Sequence, residues 1–180
     1  NRYFSHIRAH KQWKQGIQGY LASIYFADAM LGRVLDALEK GPHADNTIVA
    51  LWSDHGWHLG EKEHWQKFTA WRACSRVPFI LRVPKGAPGL PAGTLPGTCS
   101  KPVNLLSLAP TLLELCGLPP RKTHDGPSLA PLLVNPKAKW SHVSLTHLHH
   151  PGSYGISAEG WRYVHYADGG EELYEIANDP

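Results

Sequence analysis

The sequence is short of cysteine, of net charge and of long apolar runs, and each shortage closes off a class of protein. Cys74, Cys99 and Cys116 are the only cysteines among 180 residues. Odd in number and forming no Cys-x-x-Cys pair, they encode neither a zinc knuckle nor a complete disulfide framework. Lys plus Arg exceed Asp plus Glu by only 18 to 15, too mild an excess to argue nucleic acid as a partner. No apolar stretch approaches the ~18 residues of a membrane span, and the N-terminus lacks the charged-then-apolar order of a signal peptide. Internal repeats and low-complexity tracts are also missing. What is present is 42% hydrophobic and 10% aromatic residues against 18% charged, a composition that folds rather than stays disordered. The length suits one domain, or one with a small appendage, at about 150 residues a domain. The chain starts at Asn1 and stops at Asn178-Asp179-Pro180 straight after a strand-like run, so both ends read as cut.

Residues 1–16 carry scattered charges and aromatics without a period and read as an irregular lead-in. From Ile17 the apolar residues recur at spacings of three and four through Tyr20, Leu21, Ile24, Leu31, Val34, Leu35 and Leu38, which predicts an amphipathic helix ended by Lys40, Gly41 and Pro42. Thr47 to Trp52 and Val77 to Val83 are continuous β-rich runs of the kind buried on both faces of a parallel sheet. A loop of more than twenty residues separates them, and loops so long inside a compact domain are usually functional or disordered. Residues 84–102, rich in proline and glycine, form an irregular connector. Leu105 to Cys116 reads as a helix, with Pro110 in its first turn and Gly117 just past its end. Ser128 to Leu133 reads as a helical turn. Val143 to Leu148, Trp161 to Ala167 and Glu171 to Ile176 look like strands, with Asp168-Gly169-Gly170 as a hairpin turn. The predicted fold class is α/β: part of a mixed, largely parallel sheet flanked by helices, followed by a small antiparallel sheet.

The chemistry concentrates in SDHGWHLGEKEHWQKF, residues 53–68. Asp54 and His55 follow the end of an apolar strand, where open α/β sheets place their ligands. Because neighbouring strand side chains point to opposite faces, both reach one ion only if the backbone has left the strand, and Gly56 permits that turn. A carboxylate suits a hard cation such as Ca²⁺ or Mg²⁺, and an imidazole suits Zn²⁺ equally well. Lys67 could neutralise an oxyanion. His58, His64 and the tryptophans Trp57 and Trp65 could touch substrate. The same residues also fit a plainer reading, in which Asp54 caps a turn, His55 is a hydrogen-bonded half-buried histidine, Lys67 is a surface lysine and the aromatics anchor the loop.

The ordered series GYLASIYFADAMLGRVLDALEKG, NTIVALWSDHGWHLGEKEHWQKF, RVPFILRVPKG, APTLLELCGLP, DGPSLAPLL and WRYVHYADGGEELYEIANDP resembles the C-terminal half of the sulfatase family, especially its iduronate-2-sulfatase-like branch, within the alkaline-phosphatase-like superfamily. The resemblance implies that Asp54 and His55 bind an active-site calcium, with Mg²⁺ or Zn²⁺ as alternatives. It makes Lys67 the catalytic lysine that contacts the sulfate and places Trp57 near the substrate, with His58 a second candidate contact. Residues 1–135 would be the end of the α/β domain and 136–180 a small, truncated β subdomain. Family members hydrolyse sulfate esters with a formylglycine made from the cysteine of Cys-x-Pro-x-Arg or a close variant. None of the three cysteines here has that context, and the paired metal-binding aspartates of the family's first strand have no counterpart.

The nucleophile is therefore expected in a missing N-terminal half of the same protein, and the chain alone is expected to be inactive and marginally stable. A sulfated saccharide or other sulfate ester is the implied substrate. The location implied is periplasmic, extracellular or lysosomal. Ser107 replaces an aspartate frequent in relatives, and serine can serve there as a helix N-cap. Two other readings remain: a phosphomonoester or phosphodiester hydrolase of the same superfamily, which two zinc ions would favour, and a non-catalytic remnant or binding module.

Overall fold

The computed structural model describes residues 1–179. It opens with helix α1, Arg2–Ala9, where an irregular lead-in was expected. The signal is Asn1, whose side chain accepts from the Tyr3 and Phe4 amides at 3.0 and 3.1 Å and so satisfies two orphan donors of the first turn. Phe4 is buried and meets Trp13 edge-on at 5.4 Å. Helix α2, Trp13–Glu39, begins four residues before the periodic stretch and ends at Lys40, as the sequence suggests. No residue of α2 is buried, and Leu21, Tyr25, Phe26 and Val34 are all exposed. No helix among the described residues is long and apolar enough to cross a membrane.

Strand β1, Val49–Trp52, follows. Beyond it lie a two-residue ladder of β2, His58–Leu59, with β3, Trp65–Gln66, then the short helix α3, Arg72–Ser75, and strand β4, Phe79–Arg82. β1 and β4 pair antiparallel, with Val49 opposite Arg82 and Trp52 opposite Phe79. Every strand pair among the described residues is antiparallel, and the largely parallel sheet expected around these two runs is not seen among them. A continuous apolar run does not fix strand direction, and neither strand has a buried residue among those described: Trp52 and Ile80 are exposed. Here the chain leaves β1, folds through the loop and returns alongside it.

Residues 83–104 contain no helix or strand, as their proline and glycine content suggests. A turn at Leu105–Ser107 leads into α4, Leu108–Leu115, closed by Gly117 at φ 68°. Thr111 locks this unit to the next: its hydroxyl donates to the Ser107 carbonyl at 2.5 Å and accepts from the Leu129 amide at 2.8 Å. Leu129 immediately precedes α5, Ala130–Val134. The C-terminal sheet is a meander of β5, Ser144–His147, β6, Tyr154–Ala158, β7, Trp161–His165, and β8, Glu171–Glu175. β6 escapes the sequence pattern because Gly155 gives it no side chain to alternate. The hairpin at Asp168-Gly169-Gly170 is present, with Gly169 at φ 88°.

Candidate active site

The end of β1 shows how the backbone turns out of the strand. The Ser53 amide still donates to Pro78 at 3.3 Å, but the Gly56 amide donates to the Cys74 carbonyl at 2.8 Å. A Cβ on Gly56 would collide with the Ala73 carbonyl, so only glycine lets α3 press this close. The turn frees Asp54 and His55 from strand alternation and points both the same way. The Asp54 carboxylate is 82% exposed, and its Oδ1 stands 3.8 Å from His55 Nε2.

His55 is oriented by its own neighbours. Its Nδ1 lies 2.9 Å from the Gly56 carbonyl, an acceptor, so Nδ1 carries the proton and Nε2 keeps its lone pair. Lys67 Nζ donates to that Nε2 at 2.9 Å. Asp54, His55 and Lys67, separated by up to thirteen positions in the chain, thus meet at one point. Trp57 flanks them, its ring 6.4 Å from that of His55 and stacked at 6.4 Å against Tyr20 of α2.

His58 points elsewhere. It is 1% exposed, with Nε2 2.7 Å from the Thr69 hydroxyl and Nδ1 3.8 Å from the Glu61 carboxylate. Burial, then the neighbouring His64, push its pKa below the ordinary 6.5. His58, a candidate substrate contact in the sequence, is buried between the two sides of the loop and bonded to Thr69. His64 donates from Nε2 to the Lys67 carbonyl at 2.9 Å and thereby fixes the backbone that carries the lysine. Trp65 is buried against Trp13 at 6.3 Å and anchors the loop.

Sequence reasoning missed the residues that hold this loop from outside: Arg162 on β7, which donates to the Ala70 carbonyl, and Glu172 on β8, which accepts from the Trp71 indole at 2.7 Å. The C-terminal sheet therefore packs on the loop. A signal existed. Arg162 shares the inward face of β7 with Val164, so a charged residue stands in register with a core position.

Asp54 and His55 suit a divalent cation. A histidine whose Nδ1 proton is bound to a carbonyl presents Nε2 as a ligand in a fixed direction, and the adjoining carboxylate is open to solvent. Two donors do not complete a coordination shell. Among the described residues no group of three or more His, Cys, Asp or Glu side chains converges to hold a metal, so a site built on this pair would need ligands from outside these residues.

An acid, an imidazole and an ammonium are thus gathered at the end of β1. The chain belongs to the sulfatase family, whose model matches residues 2–118. It is 39% identical to a sulfatase of Formosa agariphila, covering 94% of this chain and 32% of that protein. It is 40% identical to human iduronate 2-sulfatase, over 58% of this chain and 22% of the relative. A solved structure in complex with its substrate D-glucosamine-2-N,6-O-disulfate superposes with a TM-score of 0.80 at 31% identity, covering 94% of this chain and 35% of the other. The chain thus spans about a third of the length of such relatives.

Proposed function

We propose that the chain is the part of a sulfatase that supplies metal ligands and the sulfate-binding lysine, in a protein that hydrolyses a sulfate ester of a saccharide. The observation that carries this reading is the meeting of Lys67 Nζ with His55 Nε2 at 2.9 Å beside the Asp54 carboxylate. An ammonium has three protons to donate. His55 Nε2 has one lone pair, so when it ligates a cation Lys67 gives up that hydrogen bond and turns its protons to the oxygens of a bound sulfate, where its charge stabilises the negative charge that grows during ester cleavage. Asp54 and His55 would hold the cation, Ca²⁺ in the first instance with Mg²⁺ or Zn²⁺ as alternatives. When bound, such an ion supplies Lewis-acid polarisation of the sulfate oxygens. Trp57 offers an aromatic wall for a sugar ring, while His58 supports the loop from within. That the substrate is a sulfated sugar is supported by the complex of the structural relative with glucosamine disulfate.

The remaining parts belong to the rest of the protein. A formylglycine nucleophile would come from a segment outside this chain, since Cys74, Cys99 and Cys116 all lack the proline and arginine of its motif. In the whole protein the β1–β4 ladder would extend into a larger, mostly parallel sheet.

The experiment is to assay the full-length protein against sulfated monosaccharides and to measure its metal content. Sulfate release, with bound metal lost in Asp54→Ala, is the expected result. Absence of hydrolysis of any sulfate ester, together with unchanged metal content in Asp54→Ala, would overturn the reading.

A further inference from the structure

The backbone on either side of Lys67 adopts a conformation its residues do not favour. Gln66 at φ 81° and Phe68 at φ 73° both occupy the left-handed region. For side chains like these that costs about 1–3 kcal/mol each and persists only where surrounding contacts impose it. Local preference does not hold Lys67 in place, so the contacts that do must be sought outside the turn.

Besides the His64 bond to the Lys67 carbonyl, they come from the last strands. Arg162 is 3% exposed. Its Nε donates to the Ala70 carbonyl at 2.9 Å, Nη2 donates to the same oxygen, and Nη1 donates to the Ser157 hydroxyl at 2.6 Å. Among the described residues it forms no ion pair with a carboxylate. A buried cation without a counter-ion is expensive, and an apolar side chain of similar volume would fill the space at lower cost. What the arginine contributes is therefore the placement of its donors. Gly155 on β6 makes room for it, since a Cβ there would collide with the guanidinium.

One strand further on, the Glu172 carboxylate accepts from Trp71 Nε1 at 2.7 Å, from the Tyr166 hydroxyl at 2.9 Å and from the Tyr174 hydroxyl. Lys62 Nζ donates to the Tyr174 hydroxyl at 2.8 Å and closes the ring of contacts back onto the loop. Partial burial pushes the Glu172 carboxyl up, but the hydrogen bonds from Tyr174, Trp71 and Tyr166 outweigh it and leave it below the ordinary value. The sheet thus grips the chain at Ala70 and Trp71, the third and fourth residues after Lys67.

We propose that Arg162 and Glu172 are positioning residues that hold the Lys67 turn in its strained form, acting through Ala70 and Trp71. The C-terminal sheet then governs a site that it does not enter. The link to catalysis rests on the sulfatase reading; the link to the loop rests on the hydrogen bonds alone.

Two readouts on the full-length protein separate these links. Amide hydrogen exchange is compared between wild type, Arg162→Met, Arg162→Lys and Glu172→Gln, with Glu171→Gln, which pairs with Tyr163 on the exposed side of β8, as control. Arg162→Met and Glu172→Gln are expected to speed exchange across residues 64–71 by about tenfold or more while β1 and β4 keep their protection. On a sulfate ester they are expected to lower kcat by roughly ten- to a hundredfold per folded molecule, with KM changed far less, because a misplaced lysine loses transition-state contacts. Arg162→Lys, which keeps a donor, should recover part of the rate, and Glu171→Gln should match wild type. Unchanged exchange at 64–71, or a rise spread evenly over the chain, overturns the brace. So does faster local exchange with kcat within about twofold of wild type. If no sulfate ester is turned over by wild type, the sulfatase reading fails and the exchange data still decide whether the brace exists. Should Arg162→Met not fold, the half-buried Glu172→Gln carries both readouts.

Discussion

Helix α2 and the loop between β1 and β4 divide regularity and burial in opposite ways. α2 is the longest element, 27 residues, yet buries none of them, and Phe26 on it is 64% exposed. The loop has only two-residue strands, a three-residue 3-10 helix at Glu61–Glu63 and a four-residue helix, yet it buries His58, Trp65, Ala70 and Cys74. The difference teaches that order in this chain follows side-chain closure. The loop is closed by residues from this chain: Trp13, Thr69, Arg162 and Glu172. Much of the apolar surface of α2 stays uncovered among the described residues, although Trp13 and Tyr20 pack on the loop, in a chain that spans about a third of the length of such relatives. Unshielded apolar surface of this extent ordinarily marks an interface.

Equal truncations sharpen the contrast. Trp65→Ala removes a buried ring packed on Trp13 and is expected to destabilise the chain by about 3–5 kcal/mol in a denaturant melt. Phe26→Ala should cost no more than about 0.5 kcal/mol in the same chain. In the full-length protein the second value should rise to about 2 kcal/mol or more, as for a side chain newly covered. Equal costs for Phe26→Ala in both would break the comparison.

A smaller effect concerns pH. Because the folded pKa of His58 lies below 6.5, the unfolded chain binds the proton first as pH falls. Its contribution to stability is therefore complete above about pH 6.5 and declines as pH drops from there toward the folded value. His58→Gln should flatten that decline in melts recorded as a function of pH; an unaltered slope would show that the buried imidazole is not its source. The smallest effect lies at the acid end. Glu172, held below its ordinary value, contributes stability that is present above about pH 4.5 and is lost as pH falls through its folded pKa. Glu172→Gln should remove this component, seen as a shallower loss below pH 4.5.

Much of this was legible in the chain. Spacing gave α2 and α4, composition gave the irregular connector, and Asp-Gly-Gly gave the last hairpin. The position of Asp54 and His55 beyond an apolar strand, with a glycine next, marked the region where Lys67 meets them. Strand direction was hidden because Val49 to Trp52 are apolar in succession whatever their neighbour's orientation. α1 was hidden because its cap, Asn1, is a single residue ahead of a short, mixed-charge helix. β6 was hidden by Gly155, whose missing side chain serves Arg162, a partner seven positions away. The burial of His58 could not be read because its partner, Thr69, carries no pattern of its own. Contacts between the loop and the C-terminal sheet, such as Trp71 with Glu172, join residues about a hundred positions apart, a separation at which local patterns carry no information.

The central claim is that Lys67, held beside Asp54 and His55, acts on a sulfate group. The most direct test compares kcat/KM of the full-length protein and its Lys67→Ala variant on a sulfated sugar, at matched metal content. A loss of about a hundredfold or more, with the fold intact, is the expected result. Activity within a few fold of wild type would contradict it and would leave Lys67 as a surface lysine that happens to rest on a histidine.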